Sequence, residues 1–143
     1  MRQDLTNRCN AIEECYEFML AYAAQGLPAD VGVQSGGQLR ELLRRASEAL
    51  SGLADAYAAT VKEEGLQPAD RYQAFLNVLA RDAGDSIAAI ELVRAQPALS
   101  SQLIDNLNAS IHLRALLTDL FLIDEVLKGH SSAAAHPASS QNV

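Results

Sequence analysis

Apolar residues return every three or four positions through most of this chain, the period of a helix with one buried face. Four segments carry the pattern. The first, about Asp4 to Gln25, places Leu5, Cys9, Ile12, Tyr16, Met19, Leu20 and Ala23 on one stripe, and Gly26 followed by Pro28 stops it. The stretch from Gly26 to Gly37 is rich in Gly, Pro and Ser and predicts turns. The second, about Gln38 to Glu64, aligns Leu39, Leu42, Leu43, Ala46, Leu50, Leu53, Ala54, Tyr57 and Val61; its opposite face carries Arg40, Glu41, Arg44, Arg45 and Glu48, spaced for i,i+4 pairs. Gly65 and Pro68 close it. The third, about Ala69 to Ala95, is built on Tyr72, Phe75, Leu76, Leu79, Ala83, Ile87, Ile90 and Val93, and Pro97 follows it. The fourth runs from about Ala98 or Ser100 to Lys128, with Gly129 as its predicted stop.

The second half of that last segment, Leu113 to Leu127, departs from a single stripe. Ten of its fifteen residues are apolar. At 100° per residue they cover roughly 220° of the helix surface. One core needs a stripe only about 100° wide or somewhat more, so this block has two sides to bury. The centre of the apolar surface also drifts between the two halves of the segment, near Asn108 to Ser110, as in a helix that changes partners. A second subunit would cover the excess. The expected seam is Phe18, Tyr22, Leu113, Leu116, Leu120, Ile123 and Leu127.

Four long segments joined by short breaks predict an all-α, antiparallel four-helix bundle over residues 1–128, up-down-up-down in topology. Residues 129–143, GHSSAAAHPASSQNV, have no periodicity and are expected to be a disordered tail.

Composition supports a helical globule. The chain has 143 residues, 49% hydrophobic and 20% charged, with no Trp. A net charge of −7 and the absence of any basic run argue against binding nucleic acid or an anionic membrane. Cys9 and Cys15 are six residues apart, roughly 120° round one helix, a poor geometry for a disulfide or a shared metal. They read as small buried hydrophobes in a reducing compartment. No signal segment or membrane span is evident, and the expected location is cytoplasmic.

Candidate chemistry is sparse. Asp105, His112 and Asp119 recur every seven residues and share one strip of the last helix. One helix alone keeps them about 10.5 Å apart along its axis, so they meet only through another element. No Glu stands three residues before a His, which excludes a ferritin-like di-iron centre. Ser35-Gly36-Gly37 lacks the Lys and spacing of a phosphate loop. No nucleophile sits on a sharp turn in the manner of Ser-His-Asp enzymes.

Glu13-Glu14-Cys15-Tyr16-Glu17 has the Glu-Glu-x-x-Glu spacing and in this resembles the all-α nucleotide pyrophosphohydrolases. The resemblance implies Mg²⁺ held by Glu13, Glu14 and Glu17; apart from it, the strip on the last helix offers His112 and Asp119 as metal candidates. It covers one turn of helix. The family's Glu-x-x-Asp pair on the next helix has no counterpart here; the nearest acidic pair, Asp82 and Asp85, falls on the third segment. His112-Leu113-Arg114-Ala115 resembles histidine phosphotransfer bundles only in placing a His on a bundle helix, and their His-x-Leu-Lys-Gly motif is not matched.

The expected function is therefore a non-enzymatic helical interaction protein, acting as a homodimer without a cofactor. It would serve as an adaptor, an assembly factor or a regulatory subunit, with another protein as a further partner. The alternative is a ligand- or metal-binding bundle, in one form a Mg-dependent hydrolase.

Overall fold

A computed structural model describes residues 2–135, the last five by backbone only. They form six helices: α1 (Arg2–Ala24), α2 (Gln34–Leu50), α3 (Leu53–Glu63), α4 (Ala69–Arg94), α5 (Ser101–Asn108) and α6 (Ile111–Ala135). The protein is all-α, as the periodicity predicts. Two of the four expected segments are broken, which makes six helices of four.

The second segment breaks at Ser51–Gly52, because Gly52 takes φ +78°, a left-handed conformation that ends α2 and starts α3. The fourth breaks at Ala109–Ser110, where the apolar face was seen to drift. Ser100 caps α5 by accepting the Leu103 amide at 3.0 Å, and Ser110 accepts the Leu113 amide at 3.4 Å at the start of α6.

Two boundaries also move. The first loop is shorter than expected, since α2 begins at Gln34 and takes in Gly36 and Gly37. Gly36 lies against the Asp30 carbonyl, where a Cβ would come within 2.3 Å of the oxygen. Gly129 does not stop the last helix. It keeps a negative φ inside α6, and the Ser- and Ala-rich run behind it carries the helix to Ala135. The rest of the expected tail, residues 136–143, lies outside the described residues.

Neighbouring helices run antiparallel. Glu14, Cys9 and Arg2 of α1 meet Arg45, Tyr57 and Glu64 in turn, so falling numbers on α1 match rising numbers along α2 and α3. The core is one cluster to which every helix contributes. Leu39, Leu43, Leu53, Tyr57, Leu79, Leu99 and Ile104 are fully enclosed in it. Among the described residues, no helix is long and apolar enough to cross a membrane.

Candidate functional site

Helix α6 is buried on two sides, and an aspartate marks each. Asp119 and Asp124 interrupt the apolar block five residues apart, about 140° round the axis, so they address different neighbours.

Asp124 faces α1 and α3. The Tyr57 hydroxyl donates to Asp124 Oδ1 at 2.5 Å. The Cys9 thiol lies 3.3 Å from the Tyr57 oxygen and donates to Asp124 Oδ2 at 3.8 Å. Burial and the bond to Asp124 both raise the Tyr57 pKa, so the phenol keeps its proton. Burial pushes the Cys9 thiol up to about 11, with the Asp124 and Glu13 charges acting the same way. A thiol held this way is not a nucleophile near neutral pH. Cys9 and Asp124 border an open cavity of about 400 Å³, whose wall also includes Arg2, Asn10, Glu13 and Lys128. Arg2 gives its guanidinium to Glu64 through two bonds of 2.6 and 2.7 Å.

Asp119 faces α4. The register of this seam is fixed at both ends: the Ser86 hydroxyl donates to the His112 carbonyl at 3.0 Å, and the Tyr72 hydroxyl sits 2.9 Å from His130 Nε2. Between them Asp82 of α4 comes against Asp119. Asp119 is 8% exposed, and its Oδ2 is enclosed without a hydrogen-bond partner. Burial, then the contact with Asp82, raises its carboxyl to about 7.

Next to this pair along the seam lies an apolar groove of about 250 Å³, lined by Arg71, Tyr72 and Phe75 of α4 and Leu122, Ile123 and Val126 of α6. Leu122 is 54% exposed and Val126 38%, and Phe121 beside them is 64% exposed.

The expected site residues are placed as follows. Tyr22, Leu113, Leu116, Leu120, Ile123 and Leu127 are buried in the core of the single chain, and Phe18 packs partly buried against it. The seam anticipated between subunits is thus the chain's own interior, where these residues join the core cluster to which every helix contributes. The large apolar side chains that α6 leaves exposed among the described residues are Ile111 at its start and, further along, Phe121, Leu122 and Val126. Asp105 and the His112 side chain are exposed, apart from the enclosed Asp119, so the sevenfold strip does not converge. Glu13 lines the Asp124 cavity, Glu14 lies 3.8 Å from Arg45, and Glu17 is exposed. Among the described residues, no three His, Cys, Asp or Glu side chains are grouped to hold a metal ion.

Sequence reading passed over Asp124, took Tyr57 only as a core residue, and met Asp82 only in the acidic pair with Asp85. The signal for Asp124 was present, as a second acid inside an otherwise apolar arc. For Tyr57 and Asp82 the sequence held no sign of their partners on α6, since one sits on a core stripe and the other on a polar flank.

No protein-family model, no curated protein and no solved structure matches the chain.

Proposed function

We propose that this chain is a non-enzymatic helical interaction protein that works as a homodimer. Its six helices are read as four antiparallel rods in up-down-up-down order, two of them broken. The observation that carries the reading is the α4–α6 groove. It gathers Tyr72, Phe75, Leu122 and Val126 in one open, almost wholly apolar depression. Large side chains left in water in one place mark interaction surfaces.

The rim favours a second copy. Arg71 has only its chain neighbour Asp70 near it, at 3.9 Å, and Glu125 makes no ion pair among the described residues. A two-fold axis through the groove sets each Arg71 near the other copy's Glu125, the self-complementary pattern an isologous interface needs. Sedimentation at micromolar concentration tests this. The dimer expected for the native chain becomes a monomer in Leu122→Asp; a native chain that sediments as a monomer sinks the proposal.

A second reading, a small-molecule binding bundle, is favoured by the cavity at Asp124, whose volume lies within the range of ligand sites. Its hydrolase form has little support, since Glu13 lines that cavity without Glu14 or Glu17. Thermal shifts against Mg²⁺, Mn²⁺ and nucleotides separate the readings: the interaction protein gives none.

A further inference from the structure

The Asp82–Asp119 contact lies at the middle of the α4–α6 seam, between the Ser86–His112 and Tyr72–His130 bonds that fix the register. Neither carboxylate makes an ion pair with a Lys, Arg or His among the described residues. Two like charges in contact at a buried seam do not both ionise without cost, whereas one shared proton turns the repulsion into a hydrogen bond. The enclosed, partnerless Oδ2 of Asp119 is the atom such a proton would satisfy.

We propose that the α4–α6 seam is a proton-held latch, tight while Asp82 and Asp119 share a proton and loosened when that proton is lost. The other groups round Asp119 do not compete for the role. On α6, Ala115, Leu116, Leu122 and Ile123 are its neighbours one turn away, and all are apolar. On α4, Leu79 and Ser86 stand one turn from Asp82 and carry no charge; Asp85, also one turn on, and Arg81 beside Asp82 are charged and exposed to solvent. Of the charged groups on the facing helix, Asp82 is the one that bears on Asp119.

The direction follows from proton binding. The closed seam holds Asp119's proton more tightly than an opened, solvated Asp does. Raising the pH therefore favours the open state across the interval between the ordinary carboxyl value and about 7, and changes nothing above it. Each pH unit in that interval multiplies the opening constant by up to about ten. Acidification tightens the seam.

Leu122 and Ile123 follow Asp119 by one turn, and Phe75 precedes Asp82 by two, so the latch adjoins the groove and sets its width. That last step rests on the interaction reading above; the latch itself does not.

The test is amide hydrogen exchange on the full chain from about pH 5 to pH 8, corrected for intrinsic exchange chemistry, with α1 and α2 amides as the internal reference. In the native chain, the opening constant for amides 72–86 and 112–126 rises up to about tenfold per unit as far as pH 7 and then levels. Asp119→Asn keeps the shape, removes the titration, and holds these amides closed and pH-independent. Asp82→Asn, made in parallel, flattens the slope by removing the facing charge. A native seam with pH-independent opening overturns the latch, as does an Asp119→Asn chain that keeps the native slope. Sedimentation across the same pH series reports the dimer separately. A titrating seam in a chain that is monomeric throughout sinks the dimer and leaves the latch standing.

Discussion

Asp30 Oδ1 accepts the Leu99 amide at 2.7 Å, so the loop after α1 is fastened to the turn before α5. Oδ2 takes the Arg40 guanidinium at 2.6 Å, and Arg40 also donates to the Gln96 carbonyl at 3.1 Å. One buried carboxylate thereby joins two connections and α2. Asp30→Ala leaves the Leu99 amide and Arg40 without their acceptor. The expected loss is about 2–3 kcal/mol, read as a lower urea midpoint with an unchanged slope.

The same residue sets an acid limit. The Arg40 guanidinium first, then the Leu99 amide, hold the Asp30 carboxyl below the usual range. A lowered folded value means the stabilisation is complete above the unfolded value, near 4, and is lost as pH falls through the folded value. Thermal melts from pH 6 down to pH 2.5 should show an acid decline in the native chain that is shallower in Asp30→Asn.

Two adjacent glycines should respond oppositely to alanine. A Cβ on Gly36 meets the Asp30 backbone oxygen at 2.3 Å, whereas one on Gly37 meets nothing within 4 Å. Gly36→Ala should cost about 1–3 kcal/mol through overpacking. Gly37→Ala should be neutral or gain up to about 1 kcal/mol of helix propensity. Paired melting temperatures decide it, and equal responses would contradict the packing described.

Tyr57→Phe removes the hydroxyl that orients Asp124 and leaves the carboxylate only the long contact to Cys9. A loss of about 1–2 kcal/mol is expected, measured by urea unfolding. The Cys9 thiol, raised to about 11, and Cys15, raised to about 12, should resist a thiol reagent at pH 8 until denaturant is added. Prompt native labelling of both would show that the core around α1 opens readily.

Helical class and the bounds of α1 and α4 were legible because their apolar stripes are unbroken and Pro or Gly punctuates their ends. The break at Gly52 was not, because the Leu50–Leu53 step preserves the stripe's spacing and hides one residue of left-handed backbone. The break at Ala109 left a trace in the drifting apolar face. The wide apolar arc of Leu113 to Leu127 was legible, but the structure buries Leu113, Leu116, Leu117, Leu120, Ile123 and Leu127 inside the chain and leaves Phe121, Leu122 and Val126 exposed. Which helix covers a face depends on how the chain bends at Gly52 and Ala109, and periodicity does not carry that. The Asp82–Asp119 contact is of the same kind, as it joins residues thirty-seven apart in sequence through the α4–α6 register.

The breaks themselves have an evolutionary consequence. In an uninterrupted helix, one inserted residue turns every later side chain by about 100° and empties the core face. The left-handed Gly52 and the Ala109–Ser110 step are places where an inserted or deleted residue is absorbed before it reaches Tyr57 or Asp119. Length variation in this protein's lineage should therefore collect at these two joints and at the first loop, and spare α1 and α4.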